Sequence, residues 1–406
     1  MQKIISFLQE QSKILGNWAN TFWQVLIVVT LAKLIIAFNT YGTNDVAYFE
    51  KFLRAAKDFG PAEIFNQVWH YNFPMFCITW LYFIDFISNS TGLPFSFWFR
   101  VPAILADLGN LLLLLSFLPH LPIKNFSTAK LFLISLSPIS IMVAGFHGNY
   151  DPILIFFILL SVYFLTNNKP VWLAGIALGM SLNFKIVALM LIPAFFFYLP
   201  DFQKRRDFFL AVGLTFLAGE MPYILQIDLS SFYKHVFNYN SQYGIWGLPR
   251  LLSSSLPESL SWVNTFYATK SKYIILSIIA LLSLWMNFGK NKLPLFIQCG
   301  VIFFVFLAIS SGFGVQYLAW LVPWVIVLDL ELIVLFYFSS GLFLFLVYNF
   351  WSQGFPWNFA NSDVAGPWTG YIIYYEILCW AVVLAVAFNY LKLVISLKKT
   401  EIVKPA

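Results

Sequence analysis

The sequence predicts an all-α fold: a polytopic bundle of transmembrane helices, carried as one domain over residues 1–406. Three observations predict it. Sixty per cent of the residues are apolar and ten per cent charged, with a mean hydropathy of +0.78, which excludes a soluble globular domain. Apolar runs of roughly 20 residues, the length that crosses a bilayer, recur from Trp23 to Leu391. The runs are continuous rather than alternating, so helices rather than a closed barrel must satisfy the backbone. The net charge of +6 fits cytoplasmic loops better than a nucleic-acid surface. Cys77, Cys299 and Cys379 sit in apolar surroundings without metal spacing, which suggests neither a disulfide framework nor a zinc site.

The N-terminus, with Lys3 and Lys13, reads as an amphipathic lead-in, because no small-residue cleavage site follows the first span, Trp23 to Phe38. Beyond that span lies Thr43-Asn-Asp-Val-Ala-Tyr-Phe-Glu-Lys51. Phe49, Phe52, Leu53 and Ala56 fall on one helical face and Glu50, Arg54, Lys57 and Asp58 on the other. Thr43 or Asn44 caps this helix and leaves Asp45 in its first turn, on a helix lying in the membrane interface. The plain account of Asp45 is that it complements the helix dipole.

The basic connections are Lys124 to Lys130, Lys169, Lys204 to Arg206, Lys290 to Lys292 and the tail after Lys392. Placed in the cytoplasm, they put the N-terminus inside and Asp45 outside. Residues 73–94 then form a juxtamembrane or re-entrant piece, residues 96–118 run inward, 129–145 outward and 152–166 inward. Residues 171–200 are too few for two full spans and predict short helices meeting near Asn183-Phe-Lys185. Residues 207–227 run outward and precede a second outer loop, 228–272. Spans follow near 273–288, 293–310, 317–329 and 332–350, then an aromatic outer loop from Trp351 to Gly370 and a final span.

With this topology Asp45, His70, Arg100, His147, Asn149, Asp151, His235, Arg250 and Gln316 gather at the outer surface. That is either a wetted interface or a place where a lipid-borne polar headgroup is handled. Charges inside spans are expensive and are paired or functional, which singles out Asp107, Lys185, Glu220 and Glu376.

These residues fall into segments that resemble a family. Thr43-Asn-Asp-Val-Ala-Tyr48 resembles the acidic first-loop motif of GT-C glycosyltransferases that use polyprenyl-phosphate sugars. His70-Tyr-Asn-Phe-Pro74 resembles a diverged form of the aromatic-Pro-Pro segment that follows it. Phe99 to Asp107, Gly145-Phe-His-Gly-Asn-Tyr-Asp151, Asn183-Phe-Lys185 with Pro193, and Gln316-Tyr-Leu-Ala-Trp-Leu-Val-Pro323 continue the pattern in order. The resemblance covers most of the chain. It is nearest to bacterial mannosyltransferases of the family-87 kind and to GPI mannosyltransferases. Two departures stand out: a single Asp45 where many relatives carry two acids, and one proline after the aromatics. They leave open both a divalent cation and the acceptor class.

The resemblance implies inverting transfer of a hexose, mannose by the nearest likeness, from a polyprenyl-phosphate donor to a lipid, glycan or protein acceptor. It implies a multi-pass site on the outer or lumenal face, in a bacterial plasma membrane by preference, and no nucleic-acid partner. Asp45 is then the candidate base. Arg100, at the mouth of a span, and Arg250, after Trp246-Gly-Leu-Pro249, are candidates for the donor phosphate. A snorkelling arginine is the plain account of Arg100. Asp151, with His147 and Asn149, would support the acceptor or a metal, or Asp151 would pair with His147. Lys185, Gln316 and Tyr317 are further candidates; Lys185 reaches the lipid phosphate only if the broken pair opens outward, and burial against Glu220 or Asp107 is the preferred account of it. The competing class is a transporter or flippase of a lipid-linked sugar, which would place its site near the midplane between repeats. No repeat is visible here.

Overall fold

The first helix shows how the bundle meets its two solvents. The computed structural model describes Ser12 and residues 15–122, 127–238, 243–255, 257–289 and 292–399. Lys3 and Lys13 of the N-terminal lead-in, and Lys124 and Lys290 of the basic connections, lie outside the described residues. Helix α1 (Ala19–Asn39) turns Ile27, Val28, Leu31 and Ile35 outward and Phe22, Leu26, Val29, Lys33 and Ala37 inward. The inward stripe has helical spacing, and a lysine occupies one of its positions. The lysine is satisfied there: Lys33 Nζ lies 2.5 Å from Asp107 Oδ2 and 2.8 Å from Ser140 Oγ.

Helix α2 (Asn44–Phe59) begins as its sequence dictates. Thr43 Oγ1 accepts from the Asp45 N–H, and Gly60, at φ +90°, ends the helix. Phe49, Phe52, Leu53 and Ala56 are buried while Arg54, Lys57 and Asp58 are exposed, which is the expected amphipathic split. Helix α3 (Phe76–Thr91) fills the 73–94 stretch. Its N-terminal amides at Met75 and Phe76 donate to the Glu220 carboxylate, and its Asp85 pairs with Lys57 of α2.

Helix α4 (Phe95–Phe117) is followed by α5 (Thr128–Ser135), a break at Pro138 and a π-helical segment, Ile141–His147, ended by Gly148 at φ +80°. Helix α6 (Asp151–Thr166) leads to α7 (Val171–Phe184). At Lys185 the backbone becomes extended, and a 3-10 segment (Ile186–Leu191) and α8 (Ile192–Tyr198) follow. This is the expected broken pair. Helix α9 (Phe202–Glu220) packs on α7 through Gly175 and Gly179, where an added Cβ would come within 2.4 Å and 2.8 Å of α9 carbonyl oxygens. The four-residue spacing of two glycines is what allows that approach.

In the C-terminal part, α10 (Gly247–Ser255), α11 (Ser261–Asn287) and α12 (Leu295–Ile309) precede a 13-residue 3-10 helix, Val315–Val327. Helices α13 (Leu330–Trp351) and α14 (Ile372–Lys399) complete the bundle. Helix α11 starts at Ser261 rather than near 273, so the connection expected over residues 228–272 is shorter. Among the described residues six helical stretches are long and apolar enough to cross a membrane, beside several shorter apolar helices. The fold is an all-α polytopic bundle. Its two short strands, β1 (Gly42–Thr43) and β2 (Phe359–Ala360), pair in parallel and fasten the start of α2 to the connection between α13 and α14.

Candidate active site

Three backbone irregularities meet beside Asp45: the start of α2, the end of the π-helix with the 147–151 turn, and the break at Lys185. Thr43 Oγ1 donates to the His147 carbonyl at 2.8 Å, so the two turns are held together directly. Asp45 Oδ2 then receives Asn149 Nδ2 at 2.5 Å and stands 3.0 Å from His147 Nε2. Its side chain remains 25% exposed, and Oδ1 has no hydrogen bond among the described residues. Burial raises the Asp45 carboxyl, but the His147 and Asn149 contacts and the charge of Lys185 outweigh it and bring it below its ordinary value. Asp45 is therefore a carboxylate with one oxygen anchored and one open.

Behind it the chain of contacts continues. Tyr348, in the last turn of α13 and fully buried, places its hydroxyl 2.9 Å from His147 Nδ1. The α13–α14 connection closes over the other side of α2. Asn44 Oδ1 accepts from Ser362 Oγ at 2.9 Å, and Tyr48 donates to Asp363 Oδ2 at 2.6 Å. Burial, then the Asp363 bond, push the Tyr48 hydroxyl up. His70 packs 4.2 Å from the Tyr48 ring, and burial with the Lys51 charge pushes its imidazole down.

Asp151 is arranged otherwise. Both oxygens receive Lys185 Nζ at 2.9 Å, and Oδ1 also receives Trp320 Nε1 at 2.5 Å. No part of its side chain is exposed. The expected partners were different on three counts: His147 pairs with Asp45 rather than Asp151, and Lys185 pairs with neither Glu220 nor Asp107. Glu220 caps α3, and Asp107 is taken by Lys33. The extended backbone at Lys185 points the chain toward the first turn of α6, where Asp151 sits, and this decides the pairing.

Arg100 is likewise turned inward. It is completely buried and donates to six oxygens: the carbonyls of Ser96, Ala37, Thr40, Gly145 and Phe146, and Thr40 Oγ1. The orphan carbonyls at the end of α1 need donors, and the guanidinium supplies them. It offers no free fork to a phosphate. Arg250 Nε stands 2.8 Å from Glu376 Oε2, off the line of a hydrogen bond, and the Gly247 N–H donates to Oε1. Its guanidinium lies 6.0 Å from the Trp368 ring. Tyr317 stacks on Trp320 at 4.1 Å with Lys185 Nζ 5.7 Å from its ring centre, while Gln316 is half-buried one residue earlier. His235 packs on Phe65 and contacts the Ser231 carbonyl. Among the described residues no three His, Cys, Asp or Glu side chains converge as metal ligands.

Sequence reasoning missed Lys33, Tyr348 and Asp363. A lysine in an apolar span was a readable signal. Tyr348 lies in a run of aromatic residues, and nothing in its neighbours distinguishes it.

Residues 84–234 match the model of the ALG6, ALG8 glycosyltransferase family. The match takes in Arg100, His147, Asn149, Asp151 and Lys185 but stops short of Asp45. A GPI mannosyltransferase 1 from Debaryomyces hansenii is 30% identical over 119 residues, 28% of this chain. The matched stretch spans 28% of that relative's length. Motif order, helical bundle and both matches agree, and the resemblance to GT-C type mannosyltransferases, read first from the motifs, is supported by a segment similar to the ALG6, ALG8 glycosyltransferase family within a multi-pass membrane chain.

Proposed function

We propose that this protein is an inverting glycosyltransferase that moves a hexose, mannose by similarity, from a polyprenyl phosphate to an acceptor hydroxyl. Asp45 acts as the base. The observation that carries the reading is the open Oδ1 of an otherwise anchored, ionised carboxylate. In the reaction the acceptor oxygen bonds to the anomeric carbon from the face opposite the phosphate. The acceptor proton passes to Asp45 Oδ1, and the C–O bond to phosphate breaks with its electron pair leaving on the phosphate oxygen. That accounts for inversion and for the negative charge that must be received.

Lys185, whose charge is felt at Asp45, and Arg250 are the cations that support the departing phosphate in this reading. Tyr317, whose ring centre lies 5.7 Å from Lys185 Nζ, and Gln316, the residue before it, orient the donor. His147 and Asn149 hold the base. By the distribution of basic connections the site faces away from the cytoplasm, toward the exterior of a bacterium or a lumen.

Purified protein given radiolabelled polyprenyl-phosphate mannose and a panel of lipid, glycan and peptide acceptors is expected to yield a mannosylated product of inverted configuration. Uptake of lipid-linked sugar into proteoliposomes without any product would move the reading to a transporter.

A further inference from the structure

The contacts behind Asp45 form a line that runs from its anchored oxygen, Oδ2, into the buried interior of the bundle. We infer that Tyr348 is a positioning residue for the base, acting through His147. The inference rests on the glycosyltransferase reading given above and adds a residue to it.

Tyr348 is fully buried, and its hydroxyl hydrogen has one acceptor among the described residues, His147 Nδ1 at 2.9 Å. A buried O–H left without an acceptor is costly, so the proton lies on the tyrosine and Nδ1 carries the lone pair. The imidazole hydrogen is then on Nε2, which points at Asp45 Oδ2 from 3.0 Å. Every donor in the line has an acceptor. In the opposite tautomer Nδ1 would donate to the Tyr348 oxygen, the hydroxyl hydrogen would have no acceptor among the described residues, and no hydrogen would lie between His147 and Asp45. It would thereby set two lone-pair-bearing atoms against each other at the base.

Tyr348 thus selects the tautomer that turns Oδ2 toward His147 and leaves Oδ1 for the acceptor. The ring is held in place by Phe146 and Trp357, whose centroids are 5.4 Å from it, so the hydroxyl cannot swing away without repacking. The connection after α13 adds the other half of the hold, because β2 pairs with the residues that immediately precede Asp45. One segment, Tyr348 to Asp363, fixes both the backbone and the side chain of the base.

Tyr348→Phe removes one oxygen and keeps the packing, and two readouts test it. The first is turnover with the mannosyl donor: kcat is expected to fall roughly tenfold, as loss of one hydrogen bond in a catalytic line implies, with KM for the donor unchanged. Tyr337→Phe, which trims another buried hydroxyl on α13 away from the site, is expected to leave kcat as it is. The second readout does not need activity. In 15N-histidine-labelled protein, with His147 assigned by its loss in His147→Gln, Nε2 is expected to carry the hydrogen in the wild type and the two tautomers to mix in Tyr348→Phe. Wild-type kcat in Tyr348→Phe, or a hydrogen on Nδ1 of His147 in the wild type, would overturn the inference. Absence of transfer by the wild type counts instead against the glycosyltransferase reading, and the nitrogen shifts still decide whether Tyr348 sets the tautomer.

Discussion

Asp45 and Asp151 occupy matching places, each in the first turn of a helix, and they are held in opposite ways. Asp45 has one oxygen held by His147 and Asn149 and the other open, with a quarter of its side chain exposed. Asp151 has both oxygens filled by Lys185 and Trp320 and no exposure at all. Position on a helix, charge and nearby polar residues are alike. What separates a group that can take a proton from one that holds elements together is the number of donors aimed at it and the access left over. The two arginines repeat the contrast: Arg100 is saturated by carbonyls, and Arg250 keeps a looser contact with Glu376.

Asp45→Asn tests the contrast most strongly. It keeps the shape and removes the proton-accepting oxygen, so kcat is expected to fall about 100- to 10,000-fold while donor binding persists. Near-normal turnover in matched, folded protein would end the assignment. A chelator added to wild-type protein separates loss of a base from loss of a metal ligand, because it inhibits only in the second case.

Asp151→Ala should show itself above all in stability. It leaves Lys185, whose side chain is only 13% exposed, without its partner, a change that costs up to about 3–5 kcal/mol. The expected result is a lower melting temperature in detergent. The double variant Asp151→Leu with Lys185→Met should recover much of it, since an apolar pair removes the stranded charge. A single variant as stable as wild type, yet inactive, would place Asp151 with Asp45 and erase the distinction.

Arg100→Met follows in size. Loss of the guanidinium strands carbonyls at the end of α1, which costs about 1–3 kcal/mol, and donor affinity is expected to remain unchanged in the protein that folds. A weakened Kd for polyprenyl-phosphate mannose with unaltered melting would return Arg100 to the phosphate.

The helices were legible because lipid makes the apolar runs long and continuous, and the break at Lys185 was legible because the run was too short for two spans. Which charges meet was not. Asp151 and Lys185 are 34 residues apart in sequence, at the first turn of α6 and the break after α7, and they meet only in the folded chain. Arg100 looked free because it opens a span. Its burial depends on the carbonyls of Ala37, Thr40, Gly145 and Phe146, backbone groups that every sequence possesses and none advertises. Asp45 was readable from its cap and its amphipathic helix, whereas Tyr348 required the path of a helix about 300 residues further along.

The finest test of the contrast is the acid side of the pH profile. The contacts at Asp45 bring its carboxyl below the ordinary carboxylate value, because the bonds from His147 and Asn149 favour the charged form more than burial opposes it. A folded value lower than the unfolded one means that these contacts stabilise the protein above the unfolded carboxylate value. That stability is lost as the pH falls through the folded value. Activity as a base follows the same titration, so kcat/KM should hold to more acid pH than a free carboxylate would allow. Asn149→Ala removes one donor from Oδ2 and leaves Oδ1 alone. The expected outcome is an acid limb displaced toward higher pH, with turnover at pH 7, where the carboxylate is ionised either way, lowered by about fivefold or less. Stability on acidification should begin to fail at higher pH in the same variant. An acid limb that stays in place would mean that Asn149 merely shapes the 147–151 turn through its bond from the Tyr150 amide, 2.7 Å away. A limb displaced toward lower pH would contradict the anchored-oxygen account of Asp45 itself.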